Sequence, residues 1–210
     1  MDKQKIDQFW SARTQIADPR LASNYRDDGR LQIDSQFVIE RISEPGRVLD
    51  LGAGGCTLAN SLLPYAAEVV AVEKYGGFLE KVPDLPRLKK LQSDVVDYYD
   101  ESKYEMILLF GVANFLSDDE QSQLYSNCAR MLASDGTFIV KNQCGINEEV
   151  VVDRFSDELG CDYHARYPSV QTQRDLLTQK FAVEVVDIYP EELNRWETTH
   201  FYAFVCRLNS

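Results

Sequence analysis

Basic charge is scarce and scattered in this sequence: 22 Lys and Arg stand against 34 Asp and Glu, a formal net charge of -12. No run of four or more basic residues interrupts the acidic balance. The chain therefore lacks the electrostatic footprint that holds a phosphate backbone or an anionic bilayer, and no nucleic-acid partner is expected. Long apolar runs are missing too. Nothing approaches the roughly 20 residues of a membrane span, and "MDKQKIDQFW" has no continuous apolar segment of a secretory signal, so no membrane insertion is expected. The five cysteines, Cys56, Cys128, Cys144, Cys161 and Cys206, are odd in number, far apart and free of any CxxC pair. That spacing argues against a disulfide framework or a zinc site and fits a reduced, cytoplasmic compartment.

What is present is ordinary globular material, 44% apolar and 27% charged, in a length that suits one domain with a single core. From Arg47 onward, short apolar runs alternate with amphipathic stretches. "RVLDL", "EVVAVE", "RLKKLQS", "YEMILLF", "GTFIVKN", "FAVEVVDIY" and "HFYAFVCRL" predict seven strands. Helices are expected over about Thr57 to Tyr65, Tyr75 to Val82 and Ser117 to Ala133, then through "NEEVVVDRFSDEL" and "SVQTQRDLLTQK". This alternation predicts an α/β fold, a doubly wound and mostly parallel sheet with helices on both faces. The last two strands are joined by "PEELNRWETT", too short for a parallel crossover, so the final strand is expected to run antiparallel. The stretch from Ile6 to Ile42, broken by "ADPRLASNYRDDGR", reads as an N-terminal helical cap.

The sharpest feature is "RVLDLGAGGCTLANSL", where an apolar strand ends in Asp50 and at once enters a glycine-rich turn. In an open parallel sheet that turn lies at the carboxyl edge, where ligands bind. Gly52 and Gly54 let a ligand approach the backbone, ahead of a helix expected to begin near Gly55. A dinucleotide fingerprint would place its third glycine at residue 57, which is Thr57, and Asp50 would repel a diphosphate. A cationic ligand is favoured instead. "VLDLGAGGCTLA" resembles the first motif of the class I S-adenosylmethionine-dependent methyltransferases, an acid-x-Gly-x-Gly pattern. The resemblance implies S-adenosyl-L-methionine as cofactor and extends over Arg47 to about Gln143. It implies that Glu73 binds the ribose hydroxyls, that Asp94 binds the adenine amino group with the Val95 amide on the ring, and that the Phe110 carbonyl faces the methionine end. Cys56, where many relatives carry a small residue, and Glu105, in place of a common aspartate, depart from the pattern. On this reading residues 1–44 form the cap and 45–210 the cofactor-binding domain.

Methyl transfer is an in-line displacement that depends mainly on positioning, although a hydroxyl acceptor must also lose a proton to a base. His200 is the first candidate base, because the start of an antiparallel last strand lies at the active edge, with Tyr202 on the same face. His164, in "CDYHARYPS", is the second. Lys141, Asn142 and Gln143 end the fifth strand at the same edge. Trp10, Arg13 and Tyr25 could close as an aromatic lid, with Arg13 or Tyr25 reaching the cofactor carboxylate. These polar and aromatic residues, and a general likeness of the C-terminal third to sugar-modifying methyltransferases, favour a hydroxyl on a sugar or glycan substrate. The alternatives are an NAD(P)-dependent oxidoreductase and a methyltransferase-like protein that binds cofactor without catalysis. Oligomeric state is left open by the sequence.

Overall fold

The computed structural model describes residues 2–22, 28–156, 161–194 and 196–209. Its centre is a seven-stranded sheet in the order β3-β2-β1-β4-β5-β9-β8. The strands are β1 (Arg47–Leu51), β2 (Glu68–Glu73), β3 (Leu88–Gln92), β4 (Tyr104–Phe110), β5 (Leu132–Gly145), β8 (Phe181–Asp187) and β9 (Thr199–Leu208). β1 to β5 pair in parallel, whereas β9 runs antiparallel to both β5 and β8, as its short connection requires.

Each central strand is apolar on both sides because helices cover both faces. On one face Leu49, Leu51, Val70, Val72, Ile107, Leu109, Phe138 and Phe204 form a core beneath α6 (Asp118–Met131) and α7 (Val170–Thr178). On the other, Val48, Val69, Ala71, Leu108, Ile139 and Ala203 meet α3 (Asp28–Ile39) and α4 (Thr57–Leu62). α3 thus packs directly on the sheet, with Val38 fully buried. α1 (Lys3–Arg13) instead lies at the carboxyl edge, where its Trp10 meets Phe78 and Phe115 edge-on. Short helices α2 (Pro19–Ala22) and α5 (Gly76–Leu79) complete the set. Among the described residues no helix is long and apolar enough to cross a membrane.

One expectation fails. Within "NEEVVVDRFSDEL" residues 150–156 are not helical, and the last three residues lie outside the described ones: β6 (Val150–Ser156) pairs antiparallel with β7 (Cys161–Tyr167) in a separate two-stranded sheet. Three successive valines are stiff at χ1 and favour a strand over a helix. Their period is two, since Val150 and Val152 pack with Tyr163, Ala165 and Tyr167, while Val151 and Phe155 face outward. Contact with α1 supplies the apolar cover that an isolated hairpin lacks.

α6 is fixed at its start by a capping box. Ser117 Oγ accepts the Glu120 N–H at 3.3 Å, and Glu120 Oε2 accepts the Ser117 N–H at 2.7 Å. Lys3 of α1 ion-pairs with the same Glu120 at 2.5 Å, so the cap also ties α1 to the domain. Ser117→Ala is expected to lower unfolding free energy by about 1 kcal/mol, read from the urea midpoint at unchanged slope.

Candidate active site

The carboxyl ends of the parallel strands open into a cavity of about 1240 Å³. At its base the chain leaves β1 through Gly52 and Gly54, with φ of 77° and 52°. These left-handed conformations disfavour side chains, and a Cβ on Gly52 would come within 2.3 Å of Val112. Gly52 and Ala53 donate to the Val72 carbonyl at 2.8 and 3.0 Å, which fixes the turn against β2. Cys56 also adopts positive φ, 55°. Its thiol is buried and pushed up to about 12 by burial first and by the Asp50 and Glu73 charges second, so it is a packing group. α4 starts at Thr57, where the strand-and-helix alternation of the sequence sets it.

Asp50 ends up 3% exposed, and its Oδ2 has no hydrogen-bond partner. Burial, reinforced by the Glu73 charge, raises its pKa to about 7. Glu73 is better provided for. One oxygen accepts the Gly54 N–H at 2.8 Å and the other the Tyr75 N–H at 2.9 Å; burial raises its pKa against these donors. Asp94 accepts the Val96 N–H at 3.1 Å and lies 3.3 Å from Lys74. Lys74 and the Tyr75 hydroxyl both donate to Asp7 of α1, at 2.8 and 2.7 Å, and hold that carboxyl below its usual range. α1 is thereby latched across the ends of β2 and β3.

Asp50, Gly52, Gly54, Glu73, Asp94, Val95 and Phe110 all line this cavity. Tyr25 falls outside the described residues. Trp10 lines the cavity too, whereas Arg13 turns away to donate to the Leu21 and Ala22 carbonyls. Neither histidine lines it, and strand parity explains why. The β5–β9 register sets Gln143 opposite Phe201 and Cys144 opposite His200. Gln143 and Phe201 face the cavity; His200 shares the other face with Tyr202, and its Nδ1 lies 3.0 Å from Asp187 Oδ2. His164 pairs across the hairpin with Asp153, its Nδ1 2.5 Å from the carboxylate. Asn142 is likewise turned inward, where it donates to Gln173 at 3.2 Å.

Sequence reasoning placed Lys141 and Gln143 at this edge but missed other lining residues, among them Asn114, Tyr189 and Phe201. Asn114, 5% exposed, has an Oδ1 without a partner. Lys141 ion-pairs with fully buried Asp34 and donates to the Tyr189 hydroxyl at 2.7 Å, and Tyr189 donates to Asp34 at 2.8 Å. Burial lowers the Lys141 pKa against the pull of Asp34. Gln143 donates to Thr199 at 2.8 Å. Asp34 and Tyr189 are 155 residues apart in the chain, so no local pattern announces them. Phe201 was readable from β9's alternation once its edge was known.

The orphaned Asp50 oxygen suits a cationic ligand and Asn114 Oδ1 suits a donor, so the residues present fit S-adenosylmethionine. Residues 49–140 match the family model described as "Methyltransferase domain". No curated protein matches the sequence significantly. Among solved structures, an S-adenosylmethionine-dependent methyltransferase of Leishmania major is similar at 17% identity and a TM-score of 0.76, covering 98% of this chain and 82% of that one. The glycopeptide N-methyltransferase MtfA, complexed with S-adenosylmethionine, is similar at 15% identity and 0.68, covering 84% and 93%. An S-adenosylmethionine-dependent methyltransferase from Clostridium acetobutylicum ATCC 824 is similar at 14% identity and 0.67, covering 89% and 94%. At these identities the likeness shows the shared fold.

Asp50 gives a pH dependence of definite sign. A cation favours the ionised carboxylate, so affinity for S-adenosylmethionine should weaken as pH falls below about 7, with proton release on binding near that pH. The folded carboxyl binds its proton more tightly than the unfolded one, so its contribution to the free protein's stability is present below about pH 4 and is lost as pH rises toward 7. Calorimetry in two buffers of different ionisation heat reads the released proton; Asp50→Asn should abolish the release and weaken binding.

Proposed function

We propose that this chain is a class I S-adenosylmethionine-dependent methyltransferase, a reading supported by its matched domain and its fold, and that it methylates a small polar acceptor, with a hydroxyl of a sugar or glycan favoured. One observation carries the reading: a single cavity is lined both by the acid-and-glycine rim of β1 and β2 and by residues of α1, the β6–β7 hairpin and the start of β9. At about 1240 Å³ it exceeds the roughly 300–1,000 Å³ of a usual small-ligand pocket, as a site for two molecules should. Bound S-adenosylmethionine supplies an electrophilic methyl group. In our reading Asp50 opposes its positive charge, Glu73 takes the ribose hydroxyls, Asp94 and the Val95 amide take the adenine, and the Phe110 carbonyl and the Gly52–Gly54 turn receive the methionine end.

Aromatic walls support a sugar acceptor. Trp10, Phe115 and Tyr163 line the cavity as one group of touching rings and Tyr189, Trp196 and Phe201 as another, with Gln143 and Thr199 as polar lining residues. Such rings can cover a sugar face while the amide and hydroxyl orient its edge.

For the proton of a hydroxyl acceptor, Tyr189 is better placed than either histidine. Tyr189 lines the cavity, and its oxygen receives a hydrogen bond from Lys141 and donates one to Asp34, so a path for a proton to a buried carboxylate begins at the cavity wall. A hydroxyl acceptor's proton would pass to the Tyr189 oxygen while the tyrosine proton passes to Asp34. Tyr189→Phe keeps the ring and removes the relay. With methyl-labelled S-adenosylmethionine and a panel of sugars, glycans and glycolipids, the wild type should transfer label to at least one member. The variant should lose about 10²–10³ in kcat while binding the cofactor unchanged. Label transfer to amines alone would refute the hydroxyl reading.

A further inference from the structure

The two cations at the far end of the cavity differ in how their charge is met. Lys141 is neutralised by Asp34, with side-chain exposures of 7% and 0%. Arg30 is not neutralised: among the described residues no carboxylate lies within ion-pair distance of its guanidinium. One terminal nitrogen donates to the Leu193 carbonyl at 3.0 Å. The Nε is buried and has no hydrogen-bond partner. The group is braced against two rings, 5.2 Å from the centre of Phe201 and 5.8 Å from that of Tyr189, and Arg30 lines the cavity. A planar donor fork held by aromatic walls, with an unused N–H beside an only partly used terminal nitrogen, is the geometry that accepts a carboxylate edge-on. Glu192 also lines the cavity, but it is solvent-exposed and makes no ion pair with Arg30.

We propose that Arg30 anchors a carboxylate on the methyl acceptor, which makes the acceptor an acidic small molecule and, in the sugar reading, a uronic acid. The inference rests on the reading of this cavity as the methyltransferase site. Position favours the acceptor over the cofactor's own carboxylate as the anion. Arg30 contacts Leu193, Tyr189 and Phe201, at the β8–β9 side of the sheet, and β9 lies three strands from β1. At about 4.8 Å per strand that is roughly 14 Å from the glycine turn, while the proposed nucleoside contacts extend the other way, over β2 and β3. In a protein of net charge -12, the Arg30 guanidinium set against the Phe201 and Tyr189 rings also selects an anion that the surface would otherwise repel.

The test uses protein saturated with S-adenosylhomocysteine and four probes: glucuronate against glucose, and benzoate against benzyl alcohol. Each is titrated into the wild type, Arg30→Lys and Arg30→Gln, with thermal midpoints confirming that the variants fold. Glucuronate should bind the wild type at least about tenfold more tightly than glucose, and Arg30→Gln should erase that preference. A preference for benzoate alone, lost in Arg30→Gln, would uphold the carboxylate anchor and refute the sugar reading. Equal binding of acids and neutral partners, no binding of either acid, or an acid preference that survives Arg30→Gln would overturn the anchor. A parallel titration settles the source of the anion. If Arg30→Gln weakens S-adenosylmethionine but not its decarboxylated analogue, Arg30 serves the cofactor and the proposal fails. Failure of S-adenosylhomocysteine to bind the wild type would sink the methyltransferase reading itself.

Discussion

A carboxylate buried at the end of β1 with one oxygen unmatched by any protein donor is a standing electrostatic debt, and the site is arranged around it. Asp50 is placed there by the sheet: β2 and β4 flank β1 in register, which fixes its backbone position. Glu73, one strand over, raises the tension by adding a second negative charge. The protein's own donors are spent elsewhere, on the turn and on Glu73. What remains is a negative pocket whose relief is a cation. The same charge that destabilises the free protein discriminates against a diphosphate-bearing ligand.

Around that acid, rigidity and coverage come from different parts of the chain. The parallel strands and their two cores hold the rim fixed. α1 and the β6–β7 hairpin roof it, joined by the Phe9, Trp10, Phe115 and Tyr163 rings and latched by Asp7 to Lys74 and Tyr75 and by Lys3 to Glu120. These latches are largely surface ion pairs and hydrogen bonds, each of modest strength, whereas the sheet is held by burial. Ligand entry therefore falls to the roof, not the floor.

Much of this was legible in the sequence because it is local. Strand, glycine turn and helix follow one another within sixteen residues from Arg47 to Leu62, and the acids that end β2 and follow β3 are tied to strand periods. The antiparallel β9 followed from the length of one connection. The hairpin was misread because "VVVDRF" offers too few residues to separate a period of two from one of 3.6, and its partner strand lay beyond the expected helix. His200 was located at the correct edge but on the wrong face, since one step in register exchanges the faces and the β5–β9 register is a tertiary property. Arg30, Asp34 and Tyr189 were invisible for a related reason: α3 was read as part of a cap, whereas it packs on the sheet and meets a tyrosine from the far end of the chain.

The claim on which everything else stands is that the cavity above β1 is built for S-adenosylmethionine and not for a nicotinamide dinucleotide. Calorimetric titration of the protein with each ligand in turn tests it most directly. Saturable one-to-one binding of S-adenosylmethionine with no heat from NAD is the predicted result; binding of NAD with none of S-adenosylmethionine would contradict the account at its base.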